Sequence, residues 1–264
     1  MTVISLSATD LAIAASLICL YALSSFLLRL DVASQILISA GRAFLQLMLI
    51  GFVLKAIFAN ANLLWISLMA FVMLITAARE AIRRQKHRFR GLWGFAFGTF
   101  SMFFVSFTIT VFALITIINN EPWYSPQYAI PVLGMMLGNT MNGISLGLDR
   151  LTSTARQQRA IIENRLMLGE TWNEAIHTIR RDSIHSGMIP IINAMAVAGI
   201  VSLPGMMTGQ ILAGNAPFEA VKYQIMIFFL ISSSVGFGTI LAVWTASRRL
   251  FDERQRLRLE RLKS

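Results

Sequence analysis

Charge is scarce in this chain, and so are the residues that usually organise chemistry. Of 264 residues, 14% are Asp, Glu, Lys or Arg, one is cysteine and three are histidine. So little charge beside 56% hydrophobic residues excludes a soluble domain of this length, which would need a polar shell. The lone Cys19 excludes a disulfide framework and reads as a small packing residue inside an apolar run. His87, His177 and His185 fall in polar segments with no cysteine beside them, so solvated histidines rather than a metal cluster are expected. No G-x-x-x-x-G-K-[ST] string occurs. Its nearest approach, GNTMNGIS at Gly138–Ser145, has Ile144 where the phosphate-binding lysine belongs and lies within an apolar run. The chain is therefore expected to hold no catalytic residue and no cofactor of its own. The 13 acidic residues avoid the interiors of the apolar runs, which argues against an ion-coupled carrier or channel.

Apolar length is what the chain has in abundance. Seven runs, at about 9–28, 35–58, 63–78, 92–118, 128–148, 189–213 and 221–246, are near the ~20 residues a helix needs to cross hydrocarbon. Barrel strands would instead show alternation over about ten residues. The predicted fold is all-α, a single polytopic transmembrane domain. Asp10 at the head of the first run and Arg29 after it reverse the charge order of a secretory signal, so that run is expected to remain as a helix. The link at Asn60–Asn62 is very short.

The net charge of +10 is distributed, not clustered. Arg29, six basic residues within 79–90, six within 150–181 and seven within 248–263 account for 20 of the 23 Lys and Arg. Such segments fall on one side if the N-terminus is outside and the C-terminus cytoplasmic. NNEPWYSPQ at 119–127 has no Lys or Arg and carries the interface-seeking Trp123 and Tyr124, as an outer loop should. No soluble domain remains to bind nucleic acid. The tail at 248–264 alternates Leu with Arg and is expected to lie as a basic amphipathic helix on anionic membrane lipid.

Three features carry functional content. The polar segment 149–188 contains Glu163, Leu166, Gly169 and Glu170, with Ile161, Ile162, Met167 and Ile176 supplying an apolar face at helical spacing. Gly169 permits a turn between two short helices. The spacing of Glu163 and Gly169 resembles the E-x5-G pattern of ABC transporter permeases, in which it marks the cytoplasmic helix that docks into an ATPase subunit. Importer permeases place a proline at the start of the next span about a dozen residues on; here Pro190 comes 21 after Gly169.

Second, GMMLGN at Gly134–Asn139 is echoed by GMMTGQ at Gly205–Gln210. Met135, Met136, Met206 and Met207 offer soft thioethers, while Asn139 and Gln210 offer neutral oxygens, a set able to hold a metal cation without a buried charge. The same residues also suit close packing. Asn142 extends the polar wall of the fifth run, and Pro204 breaks the sixth, as transport sites often require. Third, Arg42 within an apolar run is costly in lipid, so it is expected either to face the bundle interior and pair there or to snorkel to headgroups; Gln46, four residues on, shares its face.

SAGRAFLQLMLIGFVLKAIF (39–58), AIPVLGMMLGNTMNGI (129–144), ENRLMLGET with IRRDSIHSGMIP, and VSLPGMMTGQILAG followed by AVKYQIMI (201–227) resemble the FetB family of ABC permeases, which includes bacterial iron exporters and plant aluminium-sensitivity proteins. The resemblance implies a permease homodimer paired with a separate FetA-like ATPase that binds ATP and Mg. It also implies export of iron across the inner membrane, or of another cargo such as a nucleotide sugar.

Overall fold

A computed structural model describes residues 7–59 and 62–263; residues 60 and 61 of the expected short link lie outside the described residues. Helices dominate, as the apolar runs require. They are α1 (Ala8–Leu27), α2 (Ala33–Ala59), α3 (Leu63–Arg83), α4 (Leu92–Phe112, continuing as a π-helical turn through Ile118), α5 (Pro126–Gln157), α6 (Arg159–Met167), α7 (Trp172–Ala175), α8 (His177–Val197), α9 (Gly205–Leu212) and α10 (Pro217–Arg249). Among the described residues, α1, α2, α3, Ala96–Ile118 and α10 are long and apolar enough to cross a membrane. The chain is an all-α polytopic membrane protein.

Two compact units divide it. In the first, α1 and α2 pair through a turn in which Arg29 and Asp31 both adopt positive φ. Its α1 opens on a capping box between Ser7 and Asp10, so the orphaned first-turn N–H groups find side-chain acceptors.

The second unit is a bundle centred on α5, α8 and α10. Glycine explains how closely these helices approach. A Cβ at Gly187 would lie 2.5 Å from the Gly143 carbonyl oxygen, and one at Gly238 would lie 2.5 Å from Thr140 Cγ2. Without side chains at these points the Gly187 backbone meets that of Gly143 and the Gly238 backbone meets the Thr140 side chain, close packing that in lipid the hydrophobic effect cannot supply. The fully buried Thr140 hydroxyl meets Ser234 Oγ at 2.8 Å, so these two hydroxyls satisfy each other inside the bundle. Two apolar clusters lie along the bundle. One, at the end carrying the basic segments, is built around Ile144, Leu148, Leu151, Val243 and Leu250. The other, towards the opposite end, is built around Val132, Met136, Ile191, Ile227 and Ile231.

α5 has 32 residues, a length of about 48 Å at 1.5 Å per residue, and so outruns the ~30 Å of a bilayer core. The segment beginning at residue 149 is thus partly an extension of α5, and α8 begins at His177 with Pro190 in its interior rather than at its start. The sixth apolar run is not one helix: α8 ends at Val197, residues 198–204 are irregular, and α9 follows. Gly199, at φ +80°, makes the turn, and its N–H donates to the Ser202 carbonyl at 2.9 Å. Pro204 closes the break, having no N–H to continue a helix.

The tail departs from expectation. Residues 251–263 form no amphipathic α-helix but a strap that doubles back over the bundle. β2 (Leu262–Lys263) pairs antiparallel with β1 (Arg88–Phe89) of the α3–α4 connection, and both Phe251 and Leu262 are buried. The leucines that would have faced lipid find apolar protein instead, and the arginines find acceptors. Arg261 donates to the carbonyls of Arg249 and Phe251, while Arg256 and Arg258 meet the Asp252 carboxylate.

Candidate functional site

Where α5 and α8 leave the bundle core at its basic end, the chain makes an elbow. α5 ends at Gln157, Gln158 leaves the helical path at φ −100°, ψ 25°, and α6 sets off in a new direction. Gly169 then turns the chain at φ +93°, with no atom within 4 Å of where a Cβ would sit. Thr171 caps α7 reciprocally with Glu174, whose carboxylate accepts from the Thr171 N–H at 2.8 Å and from its hydroxyl at 2.7 Å. Those hydrogen bonds hold the Glu174 carboxyl below its ordinary range.

The predicted elbow residues separate into two groups. Ile162 and Ile176 are fully buried, and Leu166 packs against the same cluster, so Leu166 faces inward. Ile161, Met167 and Leu168 face solvent, the last two at 77% and 84% exposure. Leu168, seven residues after Ile161 and on the same face, joins the exposed patch although the sequence pattern did not single it out. Glu163 is held by Arg159 at 2.8 Å and Glu170 by Arg165 at 2.7 Å, so both acids sit in ion pairs beside the apolar lip. Arg180 is buried behind the elbow, where it donates to Asn173 Oδ1 at 2.7 Å; burial lowers its pKa.

The echoed motifs are partly brought together. Met136 is fully buried in the second cluster, and Met135 and Met206 pack against it; Met207 does not join it. Met188, Met195 and Met226, unremarked in sequence, join the same cluster. Asn139 is half-buried and donates to the Met135 carbonyl at 2.8 Å, which leaves its amide oxygen clear of that bond. The Gln210 amide oxygen is buried, and among the described residues it has no hydrogen-bond partner. The Asn142 Oδ1 accepts from Arg84 at 2.6 Å, tying α5 to the residue that follows α3. Arg42 and Gln46 are exposed on α2 within the first unit. No group of three His, Cys, Asp or Glu able to hold a metal occurs among the described residues.

Residues 8–251 match the model of the uncharacterised protein family UPF0014. The chain belongs to that family. It is 41% identical over 229 residues to a UPF0014 membrane protein of Synechocystis sp., covering 86% of this chain and 87% of that one. It is 34% identical over 254 residues to the probable iron export permease protein FetB of Escherichia coli, covering 96% of each. It is also 32% identical over 220 residues to the protein ALUMINUM SENSITIVE 3 of Arabidopsis thaliana, covering 83% of this chain and 77% of that one. No solved structure matches it.

Proposed function

We propose that this UPF0014 protein is the permease of an ABC exporter that moves iron, or a related metal ion, outward across the inner membrane. A separate ATPase subunit binds ATP and Mg and supplies the energy, and the permease works as a homodimer. The observation that carries the reading is the elbow. Between two long helices that touch through Gly143 and Gly187, the chain exposes Ile161, Met167 and Leu168 beside two ion pairs. In this reading the exposed apolar lip with its polar rim is the docking surface, and α5 and α8, which meet at Gly143 and Gly187, run from it into the bundle. Similarity to the probable iron export permease protein FetB, at 34% identity along 96% of both chains, supports the cargo.

In this reading the ATPase grips the lip and its closure tilts α6 and α7. Because α5 and α8 meet backbone to backbone, the tilt moves them as a unit. Met135, Met136, Asn139 and the α9 residues Met206 and Gln210 then change separation across the path. For iron the amide oxygens of Asn139 and Gln210 are the main ligands and the thioethers weak, exchangeable ones, which suits release. Seven spans, with the N-terminus outside and the C-terminus in the cytoplasm, complete the arrangement.

The test is metal-stimulated ATP hydrolysis by the chain purified with its ATPase, in wild type and with Met135, Met136, Met206 and Met207 all replaced by Leu. Each swap conserves volume and costs under about 1.5 kcal/mol, so folding survives. Stimulation in wild type and its selective loss in the variant are expected. A chain that neither binds nor stimulates the ATPase would refute the coupling reading; equal stimulation in both would make the methionines packing alone.

A further inference from the structure

The strap formed by residues 251–263 meets the elbow at Trp172, through Gln255 and Phe251, and α10 packs on the same residue. The Trp172 N–H donates to Gln255 Oε1 at 2.8 Å. The Trp172 ring lies 6.0 Å from Phe251 and 6.4 Å from Trp244, with the Arg248 guanidinium 5.0 Å from its centroid. Trp172 is the first residue of α7, directly beyond the Gly169 turn, so it is where the exposed lip joins the bundle. The strap is itself anchored twice more. The Arg258 N–H donates to the Leu250 carbonyl at 2.7 Å, and the Arg90 N–H to the Arg261 carbonyl at 2.8 Å. Elbow, α10 and the α3–α4 connection are thereby joined through a single short segment.

We infer that the strap is a positioning element for coupling: Gln255 and Trp172 fix the elbow to α10, so that force on the lip moves α10 together with α5 and α8. This rests on the reading of the lip as the ATPase docking point. The buried Ile162 and Ile176 hold the elbow to the bundle, and the strap adds the tie that fixes α7 to α10; without it, force on the lip would move α10 less and more ATP would be consumed for each metal moved. Gln255 adopts φ +59°, a conformation that glutamine tolerates poorly, and it is held there with its amide oxygen on the Trp172 N–H. The acceptor role is specific: a side-chain oxygen of this reach is needed to meet the Trp172 N–H, and its charge is not.

The experiment uses the full chain with its ATPase in proteoliposomes. Gln255→Leu removes the acceptor and Gln255→Glu keeps one. Two quantities are read: hydrogen exchange at the Trp172 amide, and metal moved per ATP hydrolysed. Gln255→Leu is expected to speed exchange at Trp172 and to lower metal moved per ATP by about fivefold, the scale of one net hydrogen bond. ATPase binding is expected to be unchanged, and Gln255→Glu to restore both quantities to within about twofold of wild type on the same scale. Unaltered exchange in Gln255→Leu would overturn the tie itself. Faster exchange with unchanged transport per ATP would reduce the strap to a structural clasp and overturn its role. If wild type itself fails to bind or stimulate the ATPase, the docking reading falls first and the positioning role falls with it; the exchange result then stands as a measure of the tie alone.

Discussion

Gly169 sits at φ +93° with open space around its missing Cβ, so a side chain there meets no neighbour and strains only the backbone. A β-branched residue at positive φ costs on the order of 1–3 kcal/mol, whereas Asn tolerates the region. Gly169→Val is therefore expected to leave the protein folded and inserted but to cut metal-stimulated ATP hydrolysis severely, while Gly169→Asn retains most of it. Wild-type stimulation in Gly169→Val would remove the turn from the mechanism. Gly187 has the opposite environment. Its Cβ would press on the Gly143 carbonyl at 2.5 Å and on Thr239 at 2.8 Å, so Gly187→Ala must separate α5 from α8, a strain of about 1–3 kcal/mol. Gly138 has nothing within 4 Å, and Gly138→Ala is expected to be neutral or stabilising because Ala is the better helix former. A thermal shift assay in detergent should show a lower Tm for the first and none for the second; equal Tm values would contradict the close crossing. Both the Glu163–Gly169 spacing and the small-residue density of α5 were legible in sequence. Which apolar side chain points outward was not: Leu166 faces in and Leu168, two residues on, faces out, and only the packing of α6 on the bundle decides which of the two faces is covered.

At the scale of elements, helices and their breaks could be read from apolar runs and from Pro204, since both signals are local. The strap could not. Leu–Arg alternation in 248–263 is as compatible with a lipid-facing helix as with a folded-back segment, and the partners that decide it, Phe89 and Trp172, lie far away in the chain. The methionine cluster was half legible, for the same reason. Its echoed members advertised themselves, but Met188, Met195 and Met226 join only through packing of α8 and α10. The strap also has a pH signature. Asp252 accepts from the Arg256 N–H, which with the Arg256 and Arg258 guanidinium groups lowers its pKa to about 2 from 3.8. A depressed carboxyl pKa contributes stability that is complete above the unfolded value, near 4, and is lost as pH falls through 2. Proteolysis of the tail should therefore be slow at neutral pH and accelerate on acidification between about 4 and 2 when read with an acid-active protease, and Asp252→Asn should reproduce the acid rate at pH 7. A tail equally protected in Asp252→Asn would show that the carboxylate does not hold the strap.

For the whole molecule, 20 of 23 basic residues fall in segments that one topology places on the same side, with residues 119–127 on the other. In a Cys19→Ser background, a cysteine at the exposed Glu121 should react with an impermeant maleimide applied outside, and one at the exposed Glu253 only after the membrane is opened. External labelling at Glu253 would overturn the arrangement, and with it the placement of the lip beside an ATPase. The central claim, that ATP hydrolysed by a separate subunit drives metal through this chain, is tested most directly by iron movement in sealed proteoliposomes containing both proteins, with the ATPase facing the external medium. The account predicts iron accumulation in the lumen that requires MgATP, the ATPase and this chain together. Iron entry that proceeds equally without ATP or without the ATPase, or no entry despite a stable and hydrolysing complex, would contradict it.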